Sequence, residues 1–248
     1  MNILVLNCDF DRNPNTNGGE VIRRMLKGIG ASEVDVKSAF HGRVPGADRL
    51  LLYDAVIITG SNASAYEGRA WIRRLECSIR IMDRVGVPVL GICFGFQVVA
   101  KALGGNVVAS GTYVEGFGPV RITASGVASP LFAGVPSGVR VYESHGDIVT
   151  RLPVGARVLA KSDNCIEAYS IHSFACVQFH PEVLPDTAML MAARDHKDPS
   201  AILAGVKRSY RLPNEIIRNF LRLCGASART RAGRGARSRQ GRRGPNRR

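Results

Sequence analysis

The chain has 248 residues, 45% of them hydrophobic, with a formal net charge of +14; that is enough apolar material for one sizeable core and too much for a disordered protein. Nine arginines and no acid fall in the stretch after Gly225, "ASARTRAGRGARSRQGRRGPNRR", leaving +5 for the rest, so the basicity belongs to a tail and does not by itself mark the whole chain as a polyanion binder. Six cysteines without a CxxC pair, no basic-then-apolar leader and no run of eighteen apolar residues point away from a disulfide scaffold and a membrane span, and toward a reducing cytoplasmic setting.

In chain order, "MNILVLN", "YDAVIITG" and "VGVPVLGI" are short apolar runs closed by polar or glycine residues, the pattern of buried parallel strands. Between the second and third, Trp71, Ile72, Leu75, Ile79 and Met82 recur at helical spacing with arginines opposite, which predicts an amphipathic crossover helix. After Gly105 the texture becomes short extended pieces, "GPVRIT", "GVRVYES", "ARVLAKS" and "FACVQFH", expected to continue the sheet in antiparallel fashion. From Leu184 onward two helices close the chain, in "DTAMLMAARDHKD" and "PNEIIRNFLRLC". Residues 1–225 therefore read as one α/β domain, an open mostly parallel sheet flanked by helices with added antiparallel strands. Residues 226–248 read as a disordered Arg/Gly-rich tail with at most a weak polyanion contact.

The chemistry concentrates at "GICFG". Gly91, Cys93 and Gly95 place a thiol at a strand-to-helix corner, where the flanking positions must be small because strand and helix approach closely. A helix N-terminus beside the sulfur favours the thiolate, and the amide of Phe94 is placed to receive an oxyanion. A lone cysteine there reads first as a structural thiol, and it needs a partner. "VQFHPEV" supplies one: His180 and Glu182 end an apolar run, two residues apart, so a strand would point both the same way, with Glu182 bracing the imidazole that faces Cys93. Zinc ligation by the same three residues finds no further local ligand pair. Asp9 and Asp11 read as a solvated loop, His145 as a turn histidine satisfied by backbone, and Cys165 as an incidental thiol.

These motifs in this order resemble the class I glutamine amidotransferase family over nearly all of residues 1–224, most of all its stand-alone members of the GMP synthase type. "PVLGICFGFQ" is similar to the nucleophile motif, "VQFHPEV" to the His–Glu motif, "VIITGSNAS" to the oxyanion strand-loop and "YESHGDIV" to the glutamine-contacting segment. The resemblance implies a flavodoxin-like fold, Cys93 as nucleophile, His180 as acid/base and Glu182 as its orienter. It implies an oxyanion hole at Phe94, Gly60 and Ser61, and substrate contacts at Gln97, Ser144, Gly146 and Asp147. The implied activity is hydrolysis of the γ-amide of glutamine through a γ-glutamyl thioester, with no metal or organic cofactor. A separate synthetase would accept the ammonia. A stand-alone γ-glutamyl peptide or amide hydrolase uses the same residues, and a non-enzymatic binding protein working through its Arg tail is the remaining alternative. Phe96 and Ser61 depart from the usual motif and bear on substrate shape.

Overall fold

In the computed structural model, residues 1–31 and 33–225 are described; the Arg-rich stretch 226–248 lies outside the described residues. Among the described residues, nine strands form one sheet in the order β2-β1-β3-β4-β9-β8-β7-β5-β6. Its first half is parallel: β1 (Asn2–Asn7) lies between β2 (Glu33–Ser38) and β3 (Ala55–Ile58), followed by β4 (Val89–Ile92) and β9 (Phe174–Val177). The last piece of the expected antiparallel half, β9, thus runs parallel to β4 while pairing antiparallel with β8 (Ile166–Ile171), so it is the hinge between the two halves. β7 (Arg157–Lys161) continues outward to the end of β5 (Asn106–Ile122), which then forms a long antiparallel ribbon with β6 (Val139–Arg151).

The parallel strands are apolar throughout because both faces are covered. On β1, Leu4 and Leu6 pack into one core and Ile3 and Val5 into the other. The first core is roofed by α3 (Ala70–Val85) and α4 (Phe94–Ala102). The five apolar residues anticipated for the crossover helix α3 are its buried ones, each worth about 1.5–3 kcal/mol on burial. The opposite core is closed by α1 (Gly18–Gly28) and by the C-terminal helix 214–225, through Ile22, Leu26, Ile216, Ile217 and Phe220. A third cluster seats the β5–β6 ribbon on α6 (Pro185–Arg194): Phe117 and Tyr142 meet Val183, Ala188 and Ala192. Among the described residues no helix is long and apolar enough to cross a membrane.

α1 and β2 were not signalled by the apolar pattern. β2 is an edge strand whose residues are all exposed or half-buried, and α1 follows a stretch rich in Asn, Pro and Gly that reads as loop. That loop is ordered by its own side chains: Asp9 accepts from the Gly18 amide at 2.8 Å and Asp11 from the Asn13 amide at 2.9 Å.

Candidate active site

The order β2-β1-β3-β4 puts the carboxyl ends of β3, β4 and β9 side by side, and the candidate residues stand there. β4 turns into α4 through Cys93, whose backbone is left-handed at φ 52°, ψ −104°. Such a conformation costs a non-glycine residue about 1–3 kcal/mol and must be held by its surroundings. Two contacts hold it: the Cys93 amide donates to the Val177 carbonyl at 2.9 Å, and its carbonyl accepts from the Gln97 amide at 3.0 Å. The flanking glycines are sterically required. A Cβ at Gly91 would lie 2.7 Å from the Gly95 carbonyl oxygen, and one at Gly95 would run into the Ile58 carbonyl of β3. The expected elbow is therefore present, with Cys93 only 5% exposed.

His180 and Glu182 come together by a different route from the expected strand alternation. β9 stops at Val177; His180 forms an isolated bridge to β6 through its amide and the Tyr142 carbonyl, 2.8 Å, and Pro181 and Glu182 form a turn closed by the Val183 amide on the His180 carbonyl, 3.2 Å. The result is the same pairing, His180 Nδ1 to Glu182 Oε1 at 2.8 Å, with Glu182 only 2% exposed. Cys93, His180 and Glu182 line one small cavity, with the imidazole and the Cys93 side chain both packed against Gly60. Burial pulls the His180 imidazolium down, but Glu182 and then Cys93 outweigh it and hold the ring well above its ordinary value. A ring fixed by a carboxylate on Nδ1 presents Nε2 to the sulfur, the arrangement a general base requires.

Gly60, at the end of β3, faces this pair. A Cβ there would sit 2.8 Å from His180 Cε1 and 3.6 Å from Cys93 Cβ, so only glycine leaves the imidazole its place. The Phe94 side chain is buried against Trp71, ring centroids 5.4 Å apart, so only its backbone reaches the site. At the first position of α4 its amide has no partner within the helix.

Ser61, Gln97, Ser144, Gly146 and Asp147 line, with Cys93, a cleft of about 350 Å³, within the range that suits a small ligand. Gln97 is 3% exposed and donates to the Asp147 carbonyl at 3.1 Å, while the Ser144 carbonyl lies 3.8 Å from Cys93 Sγ. All ten sequence-derived candidates thus gather around one sulfur. Three side chains join them that sequence reasoning gave no role. Gln178 accepts from Gln97 Nε2 at 3.2 Å and reaches Cys93 Sγ at 3.7 Å. Tyr66 donates to Asp147 Oδ1 at 3.0 Å, and Tyr113 shares a 2.7 Å hydrogen bond with Ser144 Oγ. Tyr113 stands where the β5–β6 register breaks between Ala109 and Val114, so an irregular stretch of ribbon overhangs the cleft.

His145 is not the expected turn histidine. It lies within β6, 5% exposed, and neither ring nitrogen has a hydrogen-bond partner.

The family model for class-I glutamine amidotransferases matches residues 19–195. The chain belongs to this family. It is 36% identical over 140 residues to a glutamine-hydrolysing GMP synthase of Syntrophomonas wolfei, a match that takes in 54% of this chain and 25% of that protein. It is also 36% identical over 162 residues to gamma-glutamyl peptidase 4 of Arabidopsis thaliana, covering 63% of this chain and 64% of the peptidase. The chain thus spans about a quarter of the GMP synthase it matches and under two thirds of the peptidase. The crystal structure of a Thermotoga maritima glutamine amidotransferase superposes with a TM-score of 0.74 at 21% identity, over 90% of this chain and 97% of that one, which shows the shared fold.

Proposed function

We propose that Cys93, His180 and Glu182 hydrolyse the γ-amide of glutamine. His180 takes the thiol proton as sulfur attacks the γ-carbonyl carbon; the carbonyl electrons move onto oxygen, received by the amides at Phe94 and the Gly60–Ser61 turn. When the tetrahedral intermediate collapses, the C–N bond breaks and His180 returns the proton to the leaving ammonia, leaving a γ-glutamyl thioester. Water, deprotonated by His180, then attacks the thioester carbon, and glutamate departs as the sulfur regains its proton. The cycle consumes one water and the substrate only. Gln97, Ser144, Gly146 and Asp147 would hold the amino-acid end of the substrate.

The single observation that carries this reading is the Cys93–His180–Glu182 relay on a left-handed elbow beside a cleft of ligand size. Delivery of the ammonia to a separate synthetase is the reading supported by relatives named as GMP synthases. A second reading, hydrolysis of γ-glutamyl peptides, is supported by the peptidase match, which covers a larger share of both chains. Ammonia release from glutamine and amino-acid release from γ-glutamyl dipeptides, measured on the purified chain and on Cys93→Ala, decide between them. Loss of either activity in Cys93→Ala supports the relay. Equal, background rates for both proteins on both substrate classes would favour a non-enzymatic binding role.

A further inference from the structure

Behind the strand that carries Ser144 and Gly146, the fold assembles a second cluster of reactive side chains. Glu143 and His145 are two apart on β6 and share a face of the strand, while Cys165, in the bend just before β8, reaches Glu167 on that strand. The pairs meet: one donor atom from each of His145, Cys165 and Glu167 lies within 4.8 Å of the other two. Glu143 Oε2 stands 3.6 Å from His145 Nε2, and Cys165 Sγ is 3.1 Å from Glu167 Oε1. Room for the Glu143 carboxylate is left by Gly118 on the neighbouring strand, where a Cβ would collide with Oε1.

The cluster is buried except for the half-buried Cys165, and it is under-satisfied. Glu167 is fully buried, and Glu143 and His145 are each 5% exposed. Buried polar atoms nearly always have a hydrogen-bond partner, yet both ring nitrogens of His145 and Oε2 of Glu167 have none. Two carboxyl groups, a thiol and an imidazole facing one another away from the surface form an environment that a cation would relieve.

We propose that Glu143, His145, Cys165 and Glu167 bind one divalent transition-metal ion, with zinc the best match. Thiolate, imidazole and carboxylate are the donor types zinc takes, and four donors suit its tetrahedral preference. Calcium and magnesium call for oxygen donors and would leave the sulfur and nitrogen unused. Zinc–ligand bonds of about 2.0–2.3 Å place tetrahedral donors roughly 3.3–3.8 Å apart. The 4.8 Å spread of His145, Cys165 and Glu167 therefore closes by about 1 Å on binding, within reach of the Glu and Cys rotamers, and Glu143, 3.6 Å from His145 Nε2, turns in as the fourth donor. Because Ser144 and Gly146 alternate with the proposed ligands on β6, the ion would pin the substrate-facing strand to β8 from its other side.

The test is metal content of the full chain, loaded with zinc and dialysed against metal-free buffer, alongside Cys93→Ala, Cys165→Ser and Glu167→Gln. We expect roughly one zinc per chain, retained in Cys93→Ala and lost in Cys165→Ser and in Glu167→Gln. Cobalt in place of zinc should give intense visible bands of a tetrahedral site and a near-ultraviolet thiolate charge-transfer band, in the unmodified chain and in Cys93→Ala. Absence of tightly held metal from the unmodified chain overturns the proposal. So does metal that disappears in Cys93→Ala but persists in Cys165→Ser, which would assign it to the candidate active site. If Cys165→Ser does not fold, the cobalt spectrum decides: no thiolate band in Cys93→Ala, and the site is refuted. None of these outcomes depends on the chain's hydrolytic activity.

Discussion

Gly60→Ala adds one methyl group and tests the geometry of the relay directly. The new Cβ would lie 2.8 Å from His180 Cε1, whereas carbon atoms rest at about 3.5 Å or more, so something must give by about 0.7 Å. No backbone strain adds to this, because Gly60 is not among the positive-φ glycines. The imidazole resists movement through its 2.8 Å bond to Glu182, and its backbone is tied to Tyr142. The conflict therefore resolves by tilting the ring away from Cys93 or by displacing the end of β3, and with it the Gly60–Ser61 turn. A misplacement approaching 1 Å costs on the order of 10²-fold in rate, or about 2.7 kcal/mol of transition-state stabilisation. Overpacking of this size costs about 1–3 kcal/mol of stability. We expect kcat/KM for the best substrate to fall by about two orders of magnitude while the protein still melts cooperatively. A variant with unchanged kcat/KM and unchanged melting would show that Gly60 does not constrain the imidazole and that the relay is not held in a fixed geometry.

Cys93→Ser keeps the volume of the side chain but replaces the thiol with a far poorer nucleophile, so turnover should fall by about 10³-fold or more with little change in melting; residual activity near that of the parent chain would remove Cys93 from the reaction. Because the folded His180 value is raised, its pairing contributes stability that is complete below the unfolded value of about 6.5 and is lost as pH rises through the higher folded value. Urea denaturation of Glu182→Gln should accordingly show its largest deficit against the parent near pH 6 and a shrinking deficit above that; a gap that widens with pH contradicts the assignment. Removing residues 226–248 should leave kcat/KM within about twofold, and any RNA retention by the full chain should fall steeply with salt. A large loss of hydrolysis on truncation would place the domain boundary elsewhere.

The parts of the fold that could be read from the sequence are those where a single local rule acts. α3 announces itself through five apolar residues at helical spacing, and the elbow through two glycines that the Gly95 and Ile58 carbonyls forbid from carrying a side chain. β2 is hidden because "EVDVKS" sits at the sheet edge and buries nothing fully. α1 did carry a legible start signal. Asn17 caps it by accepting from the Glu20 amide, three residues on, and Val21, Ile22 and Leu26 follow at helical spacing. Two leading glycines and the Asn-rich approach masked it.

The site divides along the same line. Cys93, His180 and Glu182 are marked by local motifs, although the backbone joining the last two is a turn and not a strand. Gln178 shares their parity within "VQFHPEV", so its position facing the sulfur was implicit in the same two-residue spacing that singled out His180. Tyr66 and Tyr113 had no such marker. One comes from a loop before α3 and the other from a register break in a ribbon that pairs residues dozens of positions apart. The Glu143–His145 and Cys165–Glu167 pairs belong to this second kind. Each is an unremarkable two-residue spacing, and only the sheet order that sets β6 near β8 turns two weak signals into one cluster of three donors with Glu143 beside it.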